Sequence, residues 1–294
     1  MPNHQIVSTS ASVRAWGQPR SFVLALLACV VLGDAAAYLA HAAVPVPTLE
    51  GPVTGGNGVP FVATTTFDLA QVGYEQEEYF ISGTASAYTN NGPLGVDGLG
   101  SVTPGATAAY KTRILVYRPR EAKQFNGTVV VEWLNVSGGI DAGPGWTMMH
   151  TELTREGYAW VGVSAQIVGV EGGPPLVPGL PPGLSLKMAD PARYGSLMHP
   201  GDSFSYDIYS QAAQAVRQSG SGTPLGDLKL KRLIASGESQ SAFRMVTYID
   251  AIHPLAKLFD GYLVHSRSGF LGGALSEAPQ PAIAVPGAAR IRVH

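Results

Sequence analysis

The stretch from Lys231 to Phe243, KRLIASGESQSAF, constrains this chain more than any other. Leu233 to Ala235 is a short apolar run of the kind that forms a strand buried on both faces. Gly237-Glu238-Ser239-Gln240-Ser241 then supplies small residues for a sharp turn. Ala242, Phe243, Met245, Val246 and Ile249 follow at helical spacing. A strand, a tight turn carrying a serine and a helix form the context in which a G-x-S-x-small match reads as a nucleophile elbow. The chemistry requires that shape. The serine has to sit on a strained turn, so that its hydroxyl stands above the sheet at the start of the helix. There the amide of the next residue, Gln240, points at a developing oxyanion. Small residues at 237 and 241 let strand and helix pass close together. Serine at 241 departs from the usual second glycine. The bland alternative is a strand-to-helix turn that happens to be rich in small residues.

The chain upstream reads as the beginning of a sheet. Glu77 to Ser82 has strand character, and Tyr88 to Gly105 reads as a loop rich in Gly, Asn and Pro. Tyr110 to Arg118 alternates, with Tyr110, Ile114 and Val116 set against Lys111, Arg113 and Tyr117, which predicts a half-buried strand. Asn126-Gly127 is a turn, and Thr128 to Leu134 is a nearly continuous apolar run, as in a central parallel strand. The loop Asn135-Val136-Ser137-Gly138-Gly139 follows at its carboxyl end, where α/β sheets bind ligands. Amides of Val136 or Ser137 are candidates for the second oxyanion donor; the bland reading is a flexible turn. Pro144 opens a helix to about Glu156 with Met148, Met149 and Leu153 inward, and Tyr158 to Ala165 is the next strand. Residues 167–200 form the longest irregular region and read as a lid or pocket wall. Asp202 caps a helix to about Gln218 that leads into the elbow strand. Strand, helix, strand, lid, helix, strand demands right-handed crossovers and a parallel sheet.

The first 43 residues read as an address. Arg14 and Arg20 precede an apolar run from Phe22 to Leu32, and Ala40-His41-Ala42 is a small-x-small cleavage site. Asp34 ends the run before it reaches a comfortable membrane span, so no stable span is expected after cleavage near Ala42 or Ala43. A retained N-terminal anchor is the runner-up. A lipidation box at Leu26-Leu27-Ala28-Cys29 is a third reading, opposed by the apolar run continuing past Cys29. Cys29 is the only cysteine, so the mature chain has no disulfide, thiol nucleophile or cysteine-based metal site. An exported chain without disulfides suits a bacterial periplasm or exterior. Residues 44–294 are then one domain; the whole chain is 45% hydrophobic and 14% charged with net charge −2, and no basic stripe points to nucleic acid. No H-E-x-x-H or clustered His/Asp spacing suggests a metal, and no cofactor is implied.

Val131-Glu132-Trp133-Leu134-Asn135-Val136-Ser137-Gly138-Gly139, Gly237-Glu238-Ser239-Gln240-Ser241 and Val264-His265-Ser266-Arg267 together resemble the bacterial exported α/β hydrolase domain-containing family. The similarity runs from about Tyr74 to the end of the chain. It implies an α/β-hydrolase fold: a mostly parallel, doubly wound sheet with antiparallel N-terminal strands. It also implies a serine nucleophile, which maps onto Ser239, and specifies no substrate. Gly145 departs from the family pattern, which carries an Asp between the Pro and the Trp.

The base and its carboxylate should follow the serine. Asp250, Asp260, Glu277, His253, His265 and His294 are the residues on offer. Asp250 and His253 fall on or just after the elbow helix, and Asp260 at the wrong end of the strand Phe259 to His265. His265 lies at the correct end, first as a structural histidine and second as a base. Glu277 lies in a Pro/Ala-rich segment as a weak candidate acid. Ala289 to His294 resembles the lead into a further strand, so the chain is expected to be a fragment that lacks C-terminal strands and turns over poorly alone. The expected function is an exported serine hydrolase, foremost a carboxylic ester hydrolase working through an acyl-enzyme on a small-molecule ester or similar acyl substrate. The alternative is an exported, non-catalytic binding or scaffold protein that keeps the fold.

Overall fold

The structure, a computed structural model, describes residues 43–92, 100–175, 179, 181–267 and 275. The expected leader up to Ala42 and the expected strand lead at 289–294 lie outside the described residues. The strands are β1 (Thr48–Glu50), β2 (Tyr74–Asn90), β3 (Val102–Pro119), β4 (Thr128–Trp133), β5 (Ala159–Val163), β6 (Arg232–Glu238) and β7 (Gly261–His265). They form one sheet in the order β1-β2-β3-β5-β4-β6-β7. Pairing is antiparallel from β1 through β3 to β5 and parallel among β5, β4, β6 and β7.

The apolar run after Gly127 explains the centre of that sheet. All six residues of β4 are buried, as are all five of β5. Burying a Val or Leu side chain fully is worth roughly 1.5–3 kcal/mol, so such a run is stable only where both faces are covered. Helix α1 (Pro144–Arg155) covers one face through Trp146 and Leu153, against Leu115, Tyr117, Val130 and Trp160. Helices α5 (Ser205–Arg217) and α6 (Gln240–Thr247) cover the other, packing Tyr209, Ala212 and Met245 against Val129, Val131, Trp133 and Ala235. Pro144 stands in the first turn of α1, where a missing amide costs nothing. The inner face of α1 is carried by Trp146, not Met148, which is 60% exposed. Helical phase decides between them, since residue 146 and not 148 shares a face with 153.

Other expectations change as well. The sheet takes both ends of the stretch read as a loop at 88–105: β2 runs to Asn90 and β3 starts at Val102, with Tyr88 and Val102 buried and a register shift between Ser86 and Tyr88. Small polar residues there hid a hairpin whose backbone pairing does not depend on side chains. The segment 167–200 is not irregular throughout. It contains α2 (Ile167–Glu171), α3 (Leu186–Ala189) and α4 (Pro191–Tyr194), and its Val170, Leu186, Tyr194 and Leu197 pack with Phe80. Asp202 does not cap α5. It opens a short 3-10 turn, and its carboxylate instead accepts from the Ile167 amide at 2.9 Å and the Gln166 side chain at 3.1 Å.

The central part of β3 is buried on both faces, not one, because Arg113 is neutralised in place. Its guanidinium lies 2.7 Å from Asp141 and 3.4 Å from Glu78, with all three side chains buried. Arg193 donates to Glu78 at 2.6 Å and to the carbonyls of Val53 and Gly55, and the Tyr194 hydroxyl donates to Glu78 at 2.9 Å. Two carboxylates against two guanidiniums leave no net charge buried. The lead-in 53–55, β2, β3 and α4 are thereby fastened at one point. Removing one partner strands the others in a medium that cannot solvate them. Glu78→Ala is expected to destabilise the fold by about 3–5 kcal/mol in denaturant unfolding; a loss under about 1 kcal/mol would show that water reaches the pair.

Candidate active site

The strand order places the site. From β4 the chain crosses to β5 on one side, and from β5 it jumps back over β4 to β6 on the other. The carboxyl ends of β4 and β6 therefore flank the switch point at which open α/β sheets form their ligand crevice. The loop at 135–139 leaves one of these ends, and Ser239 leaves the other.

Ser239 links β6 to α6 with φ 51° and ψ −111°, a conformation that non-glycine residues avoid at a cost of about 1–3 kcal/mol. Its neighbours hold it there. The Ser239 amide donates to the His265 carbonyl at 3.2 Å, and its carbonyl accepts from the Phe243 amide at 3.3 Å. A Cβ on Gly237 would stand 2.7 Å from the Ser241 carbonyl oxygen, so glycine is required for the strand to meet the helix. A serine at a helix N-cap ordinarily bonds a first-turn amide through its hydroxyl. Ser239 makes no such bond, because its positive φ takes it out of the extended capping conformation. The hydroxyl is left for another use, beside the first-turn amide of Gln240.

The Gln240 side chain is buried and anchored: it donates to Gln166 at 2.9 Å, and Gln166 also accepts from the Trp133 indole at 3.0 Å. Gln166 and Arg244 both donate to Asp202 at 3.1 Å. The network ties the first turns of α6 to the end of β5 and the start of α5.

The loop after β4 meets the elbow directly. Asn135 donates from Nδ2 to the Glu238 carbonyl at 3.0 Å and to the Glu238 carboxylate at 3.3 Å. Its Oδ1 accepts from the Ser137 amide at 2.8 Å. The two backbone bonds between Asn135 and Ala142 close the loop, and a Val136-to-Gly139 turn shapes it. Gly139 (φ 74°) approaches Gly183 so closely that a Cβ would stand 2.8 Å from the Gly183 Cα. The segment 167–200 thus rests on this loop.

Glu132, buried one turn of strand earlier, accepts from the amides of Gly145 at 2.7 Å and Trp146 at 2.9 Å and from the Trp160 indole at 2.8 Å. A Cβ on Gly145 would stand 2.6 Å from Glu132 Oε2, so glycine at 145 makes room for this carboxylate. Asn135 and Glu132 were legible only as members of a motif; the signal that could have found Glu132 is a carboxylate inside an otherwise apolar run.

His265 ends β7 in register with Glu238, so their side chains share a face of the sheet. Its Nε2 is buried with no hydrogen-bond partner among the described residues. None of the hydrogen bonds joins its ring to the Ser239 hydroxyl. His199 is different: Nε2 lies 3.0 Å from the Ala165 carbonyl and Nδ1 accepts from Gly201, and burial pushes its pKa down. Both nitrogens are committed, so it is a neutral structural histidine. His253 pairs with the Tyr262 hydroxyl at 2.7 Å, and Asp260 accepts from the Leu233 amide at the amino end of β6. Glu277 lies outside the described residues. Among the described residues no group of three or more His, Cys, Asp or Glu gathers to hold a metal, and no helix is long and apolar enough to cross a membrane.

A family profile described as "Alpha/beta hydrolase domain" matches residues 49–293. No curated protein sequence matches the chain. Among solved structures, a Klebsiella pneumoniae protein assigned as a dienelactone hydrolase is 16% identical, with a TM-score of 0.33, covering 68% of this chain and 65% of that one. A fungal esterase from Rhizomucor miehei is 13% identical, with a TM-score of 0.32, covering 64% and 44%. The rice cell wall degrading esterase LipA from Xanthomonas oryzae is 14% identical, with a TM-score of 0.35, covering 67% and 44%. The chain thus spans under half the length of these two esterases.

Burial pushes the Glu132 carboxyl from 4.5 up to about 7, against the pull of its three donors, with the Glu238 charge adding to the rise. The folded chain therefore keeps a proton that the unfolded chain releases. The associated stability is complete below about pH 4.5 and is lost as pH rises through about 7, on the order of 3 kcal/mol. Unfolding free energy measured across that window should fall with pH, and Glu132→Gln should flatten the fall; an unchanged slope in the variant contradicts this assignment.

Proposed function

The chain belongs to the alpha/beta hydrolase domain family, and from that premise we propose that it is a serine hydrolase acting on small carboxylic esters, with Ser239 as nucleophile. The observation that carries this reading is the elbow itself. A non-glycine residue at positive φ is held between β6 and α6, with its hydroxyl excluded from capping. The Ser239 oxygen attacks the ester carbonyl carbon as a base takes its proton. The oxyanion is held by the Gln240 amide and by one from the loop at 136–137. Collapse expels the alcohol, which recovers the proton, and water then hydrolyses the acyl-enzyme to acid and free serine.

Of the described histidines, His265 stands at the carboxyl end of the strand beside the elbow, with one ring nitrogen unbonded. The missing hydrogen bond from that ring to Ser239 favours a second reading, a non-catalytic binding protein on the same fold. Export, with the first 43 residues as leader, is part of the proposal and rests on the Arg14, Arg20, Phe22 to Leu32 and Ala40-His41-Ala42 pattern.

A fluorophosphonate probe decides between the readings. Labelling of the wild type and none of Ser239→Ala is expected; labelling that survives Ser239→Ala contradicts the nucleophile, and an unlabelled wild type supports the binding protein. Where an activated short-chain ester is turned over, Ser239→Ala should lower kcat by on the order of a millionfold. A comparable loss in His265→Ala would identify the base, whereas near-normal turnover would return His265 to a structural role.

A further inference from the structure

We propose that Asn135 is a positioning residue that sets the oxyanion site by joining its two halves; this rests on the serine hydrolase reading above. One side chain makes three bonds of consequence. Its Nδ2 donates to the carbonyl of Glu238, the residue immediately before Ser239, and to the Glu238 carboxylate. Its Oδ1 accepts from the Ser137 amide. The amide orientation is fixed by these partners: a carbonyl requires the NH2 group, and a backbone N–H requires the oxygen.

Two consequences follow. First, the Ser137 amide is occupied, so of the two loop amides it is Val136, which donates to no acceptor among the described residues, that serves as the donor paired with Gln240. Second, the separation between that amide and the Ser239 oxygen is set by a single side chain, 7% exposed, spanning the gap between the ends of β4 and β6. The loop cannot slide while its own backbone is also closed on Ala142. Oxyanion donors act only when they are in place before the charge develops, and a misplacement of about 1 Å can cost on the order of 100-fold in rate.

Asn135→Asp is the sharpest variant. It keeps the shape and the acceptor for Ser137 but turns an oxygen toward the Glu238 carbonyl and carboxylate. Asn135→Ala, which carries no side-chain donor or acceptor, loses all three bonds. In both variants the fluorophosphonate labelling rate is expected to fall about 100-fold, with the drop in ester hydrolysis appearing in kcat and KM nearly unchanged. Tm measured alongside should fall in Asn135→Asp, whose buried oxygen faces the Glu238 acceptors, so labelling rates are compared well below the Tm of each variant. Amide exchange at Ser137, which needs no activity, should be slow in wild type and Asn135→Asp and fast in Asn135→Ala. A labelled wild type with Asn135→Asp labelled equally fast overturns the positioning role alone. Free exchange of the Ser137 amide in wild type overturns the claim that Asn135 occupies it. A wild type that the probe never labels overturns the hydrolase reading and, with it, any catalytic part for Asn135.

Discussion

One strained residue organises this molecule. Ser239 sits at φ 51° between a buried strand and a helix, and nothing in a free chain would keep it there. The surroundings over-determine it: β7 through the His265 carbonyl, α6 through the Phe243 amide, and β4 through Asn135 and the Glu238 carbonyl. A cost of about 1–3 kcal/mol is bearable because β6 is inserted between β4 and β7, in the middle of the parallel half of the sheet. What the strain secures is a hydroxyl that does not cap its own helix.

The same economy of space recurs around it. Gly237 admits Ser241, Gly145 admits the Glu132 carboxylate, and Gly139 admits Gly183. Each is a close approach that a methyl group would block. Together they bring β6 onto α6, α1 onto β4, and the 167–200 segment onto the loop after β4. Polar groups fill the remaining gaps in connected sets. Gln240, Gln166, Trp133, Asp202 and Arg244 form one; Arg113, Arg193, Glu78, Asp141 and Tyr194 form another. The first set steadies the start of the elbow helix, and the second fastens the antiparallel half of the sheet to the segment above it. Rigid packing of this kind gives the Asn135 link between the two halves of the site a fixed frame on either side.

Where burial and periodicity determine structure, the sequence was legible. Thr128 to Trp133 and the run into Ser239 declare themselves because parallel strands covered on both faces leave an unbroken apolar record. The outer hairpin was less legible: Thr84 to Asn90 pairs with Val102 to Ala109 through its backbone while its side chains stay small and polar. Asp202 misled for another reason. An aspartate before a helix looks like a cap, yet this one serves Gln166, Ile167 and Arg244, partners more than 30 residues away in sequence. Asn135 was visible only as a loop residue, since its role depends on Glu238, 103 positions later. Long-range hydrogen bonds write no periodic signal.

The geometry of a covalent adduct tests the elbow most directly. A crystal structure of the chain after reaction with a phosphonate should show phosphorus bonded to Ser239 Oγ and its phosphoryl oxygen about 3 Å from the amides of both Gln240 and Val136. A phosphoryl oxygen turned away from either amide, or an adduct on any other residue, would contradict the site described for this fold.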